Sequence, residues 1–267
     1  MLKKLPFFAL LVISSIAPAL AMAAPVSLNV GARGQILVVM TNHSRYPSRD
    51  DTTGLWLTEL THFTDMVEAA GYATVFASPK GGQVPLDERS LGWLYMDKAA
   101  RKHLASAGFK ARLSHTLPIS QANPADYQAI YFTGGHGVMW DFRGNDAMRR
   151  VAEGIYNQGG VIASVCHGAA ALLNLQDSNG QPLIKGRTIT GFSNREEFLA
   201  GLKSQVPFFL EDELKAEGAD YKRSWLPFKS YVLTDGRIVT GQNPASAKAV
   251  GKAVLAVLSA NSAAGHK

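Results

Sequence analysis

Three short, almost unbroken apolar runs constrain this chain more than any other feature. Gln35-Ile36-Leu37-Val38-Val39-Met40, Ala129-Ile130-Tyr131-Phe132 and Val161-Ile162-Ala163-Ser164-Val165 lack the polar alternation of a strand that faces water on one side. They read as strands of a parallel sheet buried on both faces. Helical spacing follows the first run: Leu57, Leu60, Phe63, Met66 and Val67 predict a helix over Leu55–Ala70, closed by Gly71. A strand is predicted over Tyr72–Ser78, then helices over Asp97–Ala107 and Asn145–Gln158. Thr188-Ile189-Thr190 reads as a further strand. Asp235-Gly236, between Tyr231–Thr234 and Ile238–Thr240, predicts a hairpin. Pro244–Leu258, with proline in its first turn, reads as the closing helix. Strands alternating with helices give an α/β fold with a mostly parallel sheet, whose ligands gather at the strands' C-terminal ends.

The third run breaks at the only cysteine of the chain. In Ala163-Ser164-Val165-Cys166-His167-Gly168-Ala169-Ala170-Ala171, small residues lie two positions either side of Cys166. A strand turning sharply into an alanine-rich helix at that point has the form of a nucleophile elbow, with cysteine in place of serine. Free backbone N–H groups at the start of the helix would favour the thiolate. A lone cysteine is otherwise most often a buried core residue. The adjacent His167 and the strand-to-helix switch shift the reading toward a nucleophile.

Met1–Ala23 reads as a secretory leader: Lys3 and Lys4 precede the apolar stretch Phe7–Ile16, and Ala21-Met22-Ala23 is a small-x-small cleavage site. Pro6 and Pro18 leave that stretch short of the roughly 20 residues a membrane span needs. A periplasmic or secreted protein of one domain over 24–267 is therefore expected, with no membrane association once the leader is removed. The formal charge of +6 includes the two leader lysines, and no long basic block follows. Nucleic acid is thus not an expected partner. A single cysteine excludes an internal disulfide.

Four loops should meet at the C-terminal edge of the sheet. Glu59 lies in a helix of leucine, tryptophan and phenylalanine, where desolvation would raise its pKa and let it work as an acid; a solvated helix carboxylate fits the spacing as well. Gly134 and Gly135, after a buried strand, could offer backbone N–H groups to a reacting oxygen, or simply form a tight turn. His167 could serve as base if a carboxylate orients it, with Glu197, or its neighbour Glu196, as the candidate. The histidines show no zinc-ligand spacing and the glycines no phosphate-binding pattern, so neither a metal nor a nucleotide cofactor is expected.

Five segments in order carry a resemblance: Thr53-Gly54-Leu55-Trp56-Leu57-Thr58-Glu59-Leu60, Ala77-Ser78-Pro79-Lys80-Gly81-Gly82, Gly134-Gly135-His136-Gly137, Ala163–Gly168, and Thr240-Gly241-Gln242-Asn243-Pro244-Ala245-Ser246. Together they resemble the ThiJ/PfpI superfamily, which shares its core with class I glutamine amidotransferases, and within it the glyoxalase III-like branch. The resemblance implies a flavodoxin-like three-layer sandwich, Cys166 as nucleophile, Glu59 as the acid touching it, His167 as the triad histidine, and Glu197 rather than Glu196 as the orienting acid. It implies conversion of methylglyoxal or a related 2-oxoaldehyde to a 2-hydroxy acid without a cofactor, with deglycase activity in some members. It also leaves room for a homodimer, and for two roles without turnover: a holding chaperone or a stress or electrophile sensor. The H-x-E arrangement downstream of the cysteine in glutamine amidotransferases is absent.

Overall fold

The computed structural model of the chain describes residues 33–264, so the leader expected over Met1–Ala23 lies outside the described residues. Strand β1 (Gln35–Val39) is buried along its whole length and leads through a long loop into helix α1 (Leu57–Ala69). The chain returns through β2 (Ala73–Ser78), helices α2 (Lys98–Ala105) and α3 (Ala107–Ser114), and the short β3 (Leu117–Pro118). It then forms β4 (Ala129–Phe132), the single turn α4 (Val138–Asp141), α5 (Asp146–Asn157) and β5 (Val161–Val165). After β6 (Thr188–Ile189), α6 (Asn194–Leu199), α7 (Leu210–Ala216) and β7 (Asp220–Tyr221), the hairpin β8 (Val232–Asp235) and β9 (Ile238–Gly241) completes the sheet. Helix α8 (Ala247–Ala264) closes the described chain.

The main sheet has the order β3-β2-β1-β4-β5-β9-β8, parallel throughout except for β8 against β9. Leu37 of β1 sits between Val75 of β2 and Ile130 of β4, a register that buries Leu37 and Ile130 fully and packs the half-buried Val75 against the core. Helices α1 and α8 pack against each other over the sheet, and α5 lies against β4 and β5. The result is the expected flavodoxin-like α/β sandwich, helices covering both faces because continuous apolar strands leave neither face fit for water. On the α1 face, Phe63 stacks on Tyr131 with ring centroids 3.6 Å apart. Among the described residues, no helix is long and apolar enough to cross a membrane.

Three elements differ from the sequence expectation. The helix expected over Asp97–Ala107 is two helices, each with its own cap: the Asp97 side chain accepts from Ala100 N–H, and that of Ser106 from Phe109 N–H. Thr188–Ile189 pairs with β7 in a separate two-stranded sheet rather than joining the main one. The alanine-rich segment Cys166–Leu172 is a run of 3₁₀ turns instead of an α-helix.

Candidate active site

Chain order reverses between β1 and β4: from β1 the chain moves outward to β2 on one side, and from β4 to β5 on the other. A sheet wound this way opens a crevice at the C-terminal ends of those strands. The loop after β1 delivers the start of α1, the loop after β4 delivers Gly134, Gly135 and His136, and the end of β5 delivers Cys166 and His167.

Cys166 stands at φ 57°, in the left-handed region that a residue with a side chain enters at a cost of about 1–3 kcal/mol. Two glycines make room for it. A Cβ on Gly168 would lie 2.4 Å from the carbonyl oxygen of Phe132, and one on Gly134 would lie 2.8 Å from Cys166 Cβ. The elbow expected from the sequence is therefore present, but its electrostatics differ from the expectation. A short run of 3₁₀ turns has too few aligned peptides to supply the dipole of a helix. Burial, reinforced by the charge Glu59 would carry if ionised, pushes the Cys166 thiol well above its usual range, against a smaller opposite pull from the His167 N–H. These surroundings favour the thiol over the thiolate, so a neighbouring base would aid ionisation.

A candidate base lies beside it. His167 Nδ1 is 3.4 Å from Cys166 Sγ, and His167 Nε2 is 2.7 Å from Glu197 Oε2. The carboxylate fixes the proton on Nε2, which turns the lone pair of Nδ1 toward sulfur. The other oxygen, Glu197 Oε1, accepts from His136 Nε2 at 2.9 Å. Arg89 Nη2 donates to His136 Nδ1, also at 2.9 Å, and is itself held by Asp87 through a second bond of 2.9 Å. Since arginine only donates, His136 Nδ1 must carry a lone pair, so His136 is neutral with its proton aimed at Glu197. Burial and the neighbouring His167 bring the His136 pKa down to about 4, against an upward pull from Glu197. Burial acts to raise Glu197, but the two imidazoles outweigh it and hold the carboxyl well below the usual carboxylate range.

Glu59 is fully buried, and desolvation raises its pKa to about 8, so near neutral pH it carries a proton. Its Oε2 accepts from Gly134 N–H at 2.7 Å, and its carboxyl and the Cys166 thiol each shift the other's ionisation. The Gly134 amide is thus committed to Glu59, and this corrects the expectation that it faces a reacting oxygen. Gly135 borders the cavity at φ 98°, where a Cβ would come within 2.0 Å of the Gly54 oxygen.

Glu196 points elsewhere. It forms a capping box with Ser193 and accepts from Gln242 Nε2 at 2.8 Å, Asn243 Nδ2 at 2.9 Å and Phe228 N–H at 2.7 Å. His136 and Arg89 complete the site without any spacing in the sequence that marks them, since neither belongs to a metal-ligand pattern. The signal available was the place of His136 directly after Gly134-Gly135 at a strand end. His136, His167 and Glu197 offer donor atoms within 4.8 Å of one another, a separation a metal ion could bridge. Arg89 on His136 Nδ1 and the two imidazole protons on Glu197 already use those atoms against each other.

Cys166 is 3% exposed at the floor of a cavity of about 610 Å³, bounded by Trp56, Arg89, Tyr95, Phe192, Leu199 and Phe228 among others. A second cleft of about 450 Å³, between Asn145 and Asn174, holds neither a nucleophile nor an imidazole.

The family described as DJ-1/PfpI matches residues 53–257, which span every element of this site. The chain belongs to the DJ-1/PfpI family. As a DJ-1/PfpI protein it is 30% identical over 235 residues to "Glyoxalase 3" of Candida albicans, covering 85% of this chain and 99% of that one. To "Glutathione-independent glyoxalase HSP31" of Saccharomyces cerevisiae it is 34% identical over 222 residues, covering 80% and 93%. Among solved structures, the Rapid Encystment Protein 24 kDa of Francisella tularensis superimposes with a TM-score of 0.80 at 39% identity, covering 84% of this chain and 99% of that chain.

Proposed function

We infer that this DJ-1/PfpI protein is a glyoxalase III-like enzyme that converts 2-oxoaldehydes to 2-hydroxy acids without glutathione. The observation that carries the reading is the position of Cys166 Sγ, with an oriented imidazole 3.4 Å away and a proton-bearing Glu59 beside it, at the floor of an open cavity. The names of the Candida and Saccharomyces relatives support the same activity.

In the proposed reaction, His167 Nδ1 takes the thiol proton as sulfur adds to the aldehyde carbon. The carbonyl π bond breaks, and the oxygen collects the proton to give a hemithioacetal. The N–H groups of Gly135 and His167 are the donors available to that oxygen while it is charged. His167 then removes the hydrogen of the former aldehyde carbon as a proton, which the adjacent carbonyl makes acidic. The enediolate takes a proton on its second carbon from Glu59, the acid near sulfur, and the proton held by His167 then restores Glu59, leaving a 2-hydroxy thioester. Water cleaves the thioester, releasing the 2-hydroxy acid and restoring the thiol. One carbon is oxidised and its neighbour reduced, so the sum is aldehyde plus water. The same thiol could attack the carbonyl-derived carbon of a glycated amine, which would give deglycase activity. The leader-like sequence of Met1–Ala23 supports the reading that the enzyme is exported to the periplasm or beyond.

Incubation of the protein with methylglyoxal in glutathione-free buffer is expected to yield many moles of lactate per mole of protein; a yield at or below one mole would defeat the proposal. A holding-chaperone reading is favoured by a specific observation, the exposed side chains of Trp93, Leu94, Trp225 and Leu226. It predicts suppression of client aggregation that survives replacement of Cys166.

A further inference from the structure

The cavity is much larger than methylglyoxal, whose only substituent is a methyl group, would fill. At about 610 Å³ it lies within the range of roughly 300–1,000 Å³ that houses drug-sized ligands. Its polar groups collect at the floor, around Cys166, His167 and Gly135, with Arg89 on one side. Above them the walls are aromatic and aliphatic. Trp56 and Tyr95 meet edge to face at 5.0 Å on one side. Phe192 lies against the His167 ring at 4.3 Å, and Phe228 continues the wall with its centroid 6.2 Å from Phe192. Leu199 closes the rim, and Tyr95, Leu199 and Phe228 are each about half exposed at the mouth.

Phe228 is held in place by strained backbone. It sits at φ 58°, unusual for a bulky residue, with its N–H bonded to the buried Glu196 carboxylate. Glu196 is tied in turn to Ser193, Gln242 and Asn243. A ring kept at the cavity mouth by a fully buried carboxylate is a preformed wall, ready before substrate arrives.

Resting on the glyoxalase reading above, we propose that the preferred substrates are 2-oxoaldehydes whose substituent is a bulky apolar group, an aryl ring above all, with Phe228 and Leu199 as the residues that set this preference. The aldehyde carbon reaches Cys166 and the ring fills the space between the Trp56–Tyr95 and Phe192–Phe228 walls. The ring expels water that a methyl group would leave behind, and the reaction has the same balance, aryl 2-oxoaldehyde plus water giving the aryl 2-hydroxy acid.

The test compares phenylglyoxal with methylglyoxal by kcat/KM for the full chain, the Phe228→Ala variant and the Leu199→Ala variant. A single misfit in an apolar pocket alters specificity by roughly tenfold or more. Phenylglyoxal is expected to exceed methylglyoxal by at least about tenfold, and each variant should lose about tenfold more on phenylglyoxal than on methylglyoxal. A ratio at or below one, or equal losses on both aldehydes, overturns the substrate preference and leaves the glyoxalase reading standing. Failure to turn over either aldehyde removes the reading itself. A second measurement needs no turnover: the product mandelate should bind the Cys166→Ser protein more tightly than lactate does. Equal or weaker binding of mandelate overturns the claim about the cavity in either case.

Discussion

Glu59 shows how far burial alone can change a residue's chemistry. In an open helix it would be a carboxylate; enclosed beneath Gly134 and against Cys166, it keeps its proton up to a pH of about 8. If the proton serves the reaction, kcat/KM should fall as pH rises through about 8, and Glu59→Gln should abolish that limb while lowering the rate about 10²–10⁴-fold. A pH–rate profile of the two proteins checks this. The sign for stability follows from the same group. Its folded pKa lies above the ordinary value, so between roughly pH 4.5 and 8 the folded state holds a proton the unfolded state has lost. Glu59 therefore costs stability progressively across that window, with a slope of up to about 1.4 kcal/mol per pH unit. Urea unfolding at several pH values should show that slope in the wild type and a flatter one in Glu59→Gln.

His136 has a different task at the same scale. Replacing it with alanine strands Glu197 Oε1 and removes one of the acceptors of Arg89, which keeps Asp87 and Tyr46. A cost of about 1–3 kcal/mol is expected for the buried groups left unpaired. Denaturant midpoints would measure it, and a fall in kcat with little change in KM would show that His167 has lost its orientation.

At the level of elements, the buried strands and the flanking helices were legible because continuous apolar runs and helical spacing are local signals. The turn after Cys166 was not. Its alanines favour α-helix, yet the segment runs as 3₁₀ turns, with Gly168 set so near the carbonyls of Phe132 and Thr133 that a Cβ would not fit, and that contact involves another strand. Glu196 and Glu197 illustrate the same limit. Both sit buried in the first turn of α6, yet one anchors Gln242, Asn243 and the Phe228 loop while the other reaches the imidazoles. Sequence spacing favoured neither, and only the resemblance pointed to Glu197. Glu196→Ala is accordingly expected to destabilise the protein by about 2–4 kcal/mol through the donors it abandons. Thermal unfolding would register that loss, and protease cleavage near Phe228 would report the freed loop.

Across the whole molecule, the site exists because strand order, which no single segment encodes, brings the ends of β1, β4 and β5 together. The candidate nucleophile stands out in one stretch of sequence, whereas Arg89, His136 and the aromatic walls come from loops far apart in the chain. Their convergence depends on the crossover connections of the sheet. The thiol is the component without which that assembly has no reaction to perform. Its role is tested most directly by counting moles of lactate formed per mole of protein from methylglyoxal, without glutathione, for the wild type and Cys166→Ser side by side. Repeated turnover by the wild type and none by a folded Cys166→Ser is the expected result; equal turnover by both would contradict the account.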